Sequence, residues 1–201
     1  MRIITSLLLL TFYCYSYSQP GNSQQLAMEG VKVIELEKGT LSYTITEGGE
    51  GSVTFSFDQY GLRSATLLDI QYTMYGIETA MKESDIRDGE FRYIYDLLKQ
   101  TGRQKKVTTE IDLLRYKSLN EARESIYSVN GGSMIGQEKV LDKSTEHWTF
   151  TSGPIKEAWY WNGIPLKAVI KRPRVSYTME VNQIDLTTAS IVYPEIEITE
   201  N

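Results

Sequence analysis

The sequence predicts an α+β fold in which a large, mainly antiparallel sheet carries one or two helices. Three observations lead there. Apolar and polar residues alternate with period two along most of the chain, which puts one side of each strand against a core. One stretch instead shows helical spacing with a start signal and a stop signal. The strand–helix–strand alternation that would mark a parallel sheet is missing.

Taking the chain in order, residues 1–18 read as a cleaved secretory signal. Met1-Arg2 supplies a positive start, Ile3 to Tyr13 is largely apolar, and Ser16-Tyr17-Ser18 puts small residues at −3 and −1. The apolar run is much shorter than the roughly 20 residues a membrane span needs. Export to the periplasm is the expectation, and lipid anchoring through Cys14 is the alternative. Residues 19–29 read as a short flexible lead, and residues 30–201 as a single β-rich domain.

Leu41, Tyr43 and Ile45 share one face, Val53, Phe55 and Phe57 another, and the glycine-rich Glu47–Gly51 joins them as a hairpin. Phe91, Tyr93 and Tyr95 form a further same-face set, and Val107–Ile111 is a candidate strand. A short helix over Gly76–Glu83 is the weaker of two helix expectations. The stronger one begins at Ser118, where Glu121 three residues later completes a capping box. Leu119, Ala122, Ile126 and Val129 then fall on one face, and Asn130-Gly131-Gly132 provides the stop. Beyond it, Glu146, Trp148 and Phe150 alternate with His147 and Thr149. Trp159 and Trp161 precede an Asn162-Gly163 turn into Ile164–Lys171, where Pro165 suggests a strand start or an edge. Tyr177–Leu186 is a long strand, and Ile196–Ile198 closes the chain.

Composition removes several function classes. The one cysteine lies in the signal segment and His147 is the one histidine, so neither a disulfide framework nor a Cys- or multi-His metal site is expected. With 26 acids against 21 lysines and arginines the chain carries a net charge of −5, which argues against nucleic-acid binding. No serine lies in a nucleophile-elbow context that His147 could serve, and His147 reads as a solvent-facing or weakly packed strand residue. No two of the many carboxylates (Glu35 and Glu37, Glu47 and Glu50, Asp58, Glu78, Glu83 and Asp85, Glu195 and Glu197) are singled out as a hydrolase pair. No cofactor is expected, and no enzyme activity. The aromatic residues have two readings. They fill a core beneath the helix, or they line an apolar ligand cavity walled by Trp148, Trp159, Trp161, Leu119 and Ile126.

Trp159-Tyr160-Trp161-Asn162-Gly163-Ile164-Pro165-Leu166-Lys167 resembles a hairpin of uncharacterised exported proteins, common in the Bacteroidota, grouped with the outer-membrane lipoprotein carrier-like (LolA-like) fold. Gly136–Leu141 leading to Trp148, Gly39–Tyr43, Phe57–Arg63 and Asp96–Gly102 are similar to other segments of that family, in the same order. Asp142 and Thr145 depart from it, standing where the family has Gly and often Cys. The resemblance implies a strongly curved, incomplete β-barrel with helices against its concave face. It also implies a periplasmic carrier-like protein whose partner is a lipid or the acyl chains of a lipoprotein, with peripheral contact to the outer membrane. An envelope structural or protein-interaction domain with a filled core, using an edge such as Ile164–Lys171, is the competing expectation. A carboxylate-dependent hydrolase is the remote one.

Overall fold

The computed structural model describes residues 21–200; the expected signal segment and Cys14 lie outside them. One continuous sheet of twelve strands dominates: β1 (Gly39–Glu47), β2 (Glu50–Asp58), β3 (Arg63–Met74), β4 (Ile77–Asp88), β5 (Phe91–Asp96), β6 (Thr101–Lys106), β7 (Gly132–Val140), β8 (Lys143–Phe150), β9 (Ile155–Trp161), β10 (Ile164–Lys171), β11 (Ser176–Asp185) and β12 (Ile198–Glu200). Its order is β12-β6-β5-β4-β3-β2-β1-β11-β10-β9-β8-β7, antiparallel throughout except for the parallel β12–β6 pair. Three α-helices, α1 (Ser23–Met28), α2 (Thr108–Tyr116) and α3 (Leu119–Val129), and a 3-10 turn at Gln59–Gly61 complete the described elements.

The sheet is open at β12 and β7 but strongly curved. Arg172, in the turn between β10 and β11, bonds Glu83 on β4. In a flat sheet β11 and β4 would be four strand spacings apart, about 19 Å, which is more than a side chain spans. The face enclosed by this curl is apolar. Cross-strand register aligns Trp148, Ala158, Ala168, Met179 and Ile45 in one row, and Tyr43, Val53 and Leu68 in another. The Tyr43 hydroxyl crosses this interior to donate to the Pro165 carbonyl, 2.9 Å away.

Two smaller cores flank the main one. Leu26, Val31, Leu62, Ile111, Leu114 and Ala122 pack among the three helices. On the convex side, Ile86, Tyr93 and Tyr95 are covered by Ile191, Tyr193, Ile196 and Ile198 of the C-terminal segment, which ends as β12. Asp88 ties the segment before α1 and the C-terminal segment to the β4–β5 turn, accepting from the Gly21 amide at 3.2 Å and the Tyr193 hydroxyl at 3.0 Å.

Several expectations need correction. Residues 76–83 are not helical: Tyr75 and Gly76 both take positive φ, a tight hairpin turn, and Ile77–Asp88 pairs with β3 along twelve residues. Val107–Ile111 is not a strand but runs into α2, because Ile111 and Leu114 share a helix face inside the helical core. The expected lead is helical from Ser23 to Met28, with Leu26 wholly buried. Ile164–Lys171 is an interior strand between β9 and β11; the edge on that side is β7. Pro165 is accommodated by a register shift between Pro165 and Lys167.

The Ser118 capping box forms as the sequence predicts, with both reciprocal bonds present. Ser118→Ala removes a side-chain acceptor from the first turn of α3 and is expected to lower stability by about 1 kcal/mol in chemical denaturation.

Candidate functional site: a capped concave face

On the concave face an apolar floor meets the helical layer through α3. The floor under α3 is Trp148, Phe150 and Tyr160, which alternate onto one side of β8 and β9. Tyr127 of α3 reaches all three: its ring meets Trp148 edge-on at 4.8 Å and Phe150 at 5.8 Å, and stacks on Tyr160 at 4.8 Å. Burial pushes both tyrosine hydroxyls well above the usual phenol range, so both stay neutral. Among the described helix residues, Tyr127 is the one that joins the main core, while Leu119 and Ala122 turn into the helical core.

The five expected wall residues do not come together. Trp148 lies on the concave face at 9% exposure. Trp159 pairs across the strands with His147, whereas Trp148 pairs with Ala158, so Trp159 and Trp161 occupy the convex side. Leu119 belongs to the helical core, Ile126 is half-buried outside all three cores, and Val129 is 81% exposed. Helical spacing identifies the right helix but the wrong stripe. Tyr127 escapes that spacing because it sits beside the Leu119–Ile126 line, and only the aromatic floor below gives it meaning.

His147 also differs from expectation. It faces outward yet is only 8% exposed, stacked on Trp159 at 4.0 Å. Its Nδ1 lies 3.1 Å from Glu138 and its Nε2 3.3 Å from Glu157. The Trp159 indole N–H donates to the other Glu138 oxygen at 3.0 Å, and Lys167 sits over the indole. These contacts hold the Glu138 carboxyl below the usual range, the indole bond contributing most and His147 next. Thr145, at the position where the resembling family often has a thiol, donates its hydroxyl to the Glu138 carbonyl at 2.8 Å. This convex cluster packs the sheet edge and leaves no ligand surface on Trp159.

Two hollows open on the sheet, each with a mixed polar and apolar lining. One of about 190 Å³ is lined by Ser64, Thr66, Asp85, Arg87, Arg92 and Val107; the other, about 330 Å³, lies along β4–β6. Of the carboxylates considered for hydrolysis, Glu83 is held by Arg172 and Asp85 by Arg92. Asp58 stands beside Arg63 on the convex side, its carboxyl raised by burial more than Arg63 lowers it. Among the described residues, no group of three His, Cys, Asp or Glu could hold a metal ion, and no helix is long and apolar enough to cross a membrane.

Two outcomes follow. Tyr127→Ala removes three ring contacts and is expected to lower stability by about 3 kcal/mol in denaturant titration. Glu138 ionises more readily in the folded state, so its contribution is present above the ordinary carboxyl value of 4.5 and is lost as pH falls through its folded value. Glu138→Gln is therefore expected to be less stable than wild type at pH 7, with the difference shrinking as denaturation is repeated at successively lower pH beneath the ordinary carboxyl range.

No protein-family model matches this chain, and no curated protein does. Among solved structures, it is similar to an uncharacterised conserved protein from Thermus thermophilus, with 8% identity, 89% of this chain and 99% of that one covered, and a TM-score of 0.50. LprF from Mycobacterium bovis aligns at 11% identity over 87% of this chain and 98% of its own, with a TM-score of 0.34, too loose to argue from. At such identities the Thermus likeness is one of fold: a curved, incomplete antiparallel barrel with helices against it.

Proposed function

We propose that this chain is an exported, non-catalytic carrier-like protein of the periplasm that takes an apolar chain, from a lipid or a lipoprotein, between its concave sheet and its helical cap. The observation that carries this reading is how the cap is attached. The helices share a second core with Val31 and with Leu62 of the β2–β3 connection, and dock on the apolar floor through Tyr127. A layer packed around a core separate from the floor can lift as a unit without unfolding, which exposes Trp148, Phe150 and Tyr160 together. Each acyl methylene then buried contributes about 0.8 kcal/mol, enough for binding without covalent chemistry. The motif resemblance to LolA-like exported proteins points the same way, and it is the ground for placing the chain near that Bacteroidota group.

A second reading rests on a specific observation. Leu41, Phe57, Ile70 and Leu166 of the main core are fully buried against one another, as in an envelope module that binds no ligand and only presents a surface. Its exposed edge is β7, where Met134 and Ile135 are open to solvent.

A brominated fatty acid separates the two. On the carrier reading it quenches the tryptophan fluorescence of a Trp159→Phe/Trp161→Phe variant, which retains the concave Trp148, and leaves Trp148→Phe almost unaffected. Protein purified from its own envelope should also carry lipid in native mass spectrometry. Bare protein with no quenching in either variant would decide for the filled-core module.

A further inference from the structure

We infer that Glu146 sets the head-group preference of the concave site, favouring an apolar chain whose polar end donates hydrogen bonds and carries no negative charge. This rests on the carrier reading above and names the class of ligand that site takes. Register places Glu146 opposite Tyr160 on β9 and Gln137 on β7, so its side chain stands on the concave side, next to Trp148 along β8. Trp148 and Tyr160 are floor residues, each 9% exposed, and Tyr127 of α3 covers both. Glu146 itself is exposed, and beyond it the same face carries Ser144 paired with Lys139. Glu146 therefore stands where the apolar floor ends, at its seam with α3.

The Trp148 indole N–H donates to Glu146 Oε2 at 3.2 Å, which draws the carboxylate towards the floor. Among the described residues, Oε1 has no donor and the carboxylate has no ion-pair partner. The cations of the surrounding elements do not neutralise it. Arg123, one turn before Tyr127 on α3, is bonded to Glu35 at 2.8 Å and to Asn120 at 3.2 Å. Lys143 lies over the convex Trp161, and Lys139, diagonal to Glu146 across β7–β8, makes no bond to it. Lys156 is four residues from Tyr160, towards the other end of β9. The Tyr127 and Tyr160 hydroxyls stay neutral, so they donate as well as accept.

An ionised carboxylate with one oxygen open is an acceptor only. A hydroxyl or amide arriving at the seam donates to it in a charge-assisted bond. A carboxylate or phosphate has no proton to donate at neutral pH and meets like charge. The aromatic floor then supplies affinity for the chain, and Glu146 supplies discrimination between heads.

Calorimetric titration at pH 8, where carboxyl groups are ionised, tests this on protein purified from its own envelope and stripped of lipid. The probes are monodecanoylglycerol, decanoate, and methyl decanoate, which has neither charge nor donor. We expect monodecanoylglycerol to bind about fivefold or more tighter than either of the others. Glu146→Gln, which keeps an acceptor but removes the charge, should strengthen decanoate about threefold and leave methyl decanoate almost unchanged. Glu146→Ala should bring monodecanoylglycerol down to the level of the methyl ester. A merely structural role for Glu146 would shift all three probes together and leave their ratios as they were. Ratios unchanged in both variants, or decanoate binding wild type as tightly as monodecanoylglycerol, would overturn the inference and leave the carrier reading standing. Binding of none of the three probes would remove the carrier reading and the inference with it.

Discussion

The hydrogen-bonded ladder that runs unbroken from β12 to β7 is the constraint on which the rest depends. In an antiparallel ladder each residue faces one of two sides, and its register partners face the same side. Once the sheet curls until Arg172 meets Glu83, one side becomes an interior and the other an exterior. Trp148 and Trp159 are eleven residues apart on neighbouring strands, yet this constraint puts one under Tyr127 and the other beside His147. The same alternation turns Tyr43 inward to the Pro165 carbonyl and sends Tyr93 outward beneath Tyr193, 5.5 Å from its ring.

The curl also accounts for the polar part of the interior. Where β1, β2, β10 and β11 enclose the concave face, side chains of opposite strands touch and apolar residues fill the space. Towards β4, β5 and β6 the same face carries ion pairs, Glu83 with Arg172 and Asp85 with Arg92. Charges are tolerated there because partners and solvent are within reach. The interior is therefore apolar at one end and ion-paired at the other.

Much of the fold is legible in local sequence. The β1–β2 hairpin follows from alternation around Glu47–Gly51, and α3 from Ser118, Glu121 and Asn130-Gly131. Asn162-Gly163 announces the β9–β10 turn, with both residues at positive φ. Two segments mislead for opposite reasons. Ala80, Met81, Lys82 and Glu83 are helix formers, but twelve paired positions with β3 outweigh that preference. Val107, Thr108, Thr109 and Ile111 favour strands, but Ile111 and Leu114 gain more by burial against Leu26 and Val31. The candidate site is less legible. Its aromatic floor is visible as alternating aromatics, whereas Tyr127 and the row of Arg87, Arg92 and Lys105 come from elements whose alignment no local pattern encodes.

By itself, the sequence determined which segments are extended, where α3 starts and stops, and which residues along one strand share a side, since those depend on neighbours within a few positions. The tertiary structure alone decided which side is concave, that the tryptophans divide between the two sides, and that arginines of β4 and β5 share a face with the phenyl rings of β2. Period two fixes sides only relative to one another within a strand. Assigning inside and outside requires the long-range closure of the sheet, and that is set by contacts between residues as distant in the chain as Glu83 and Arg172.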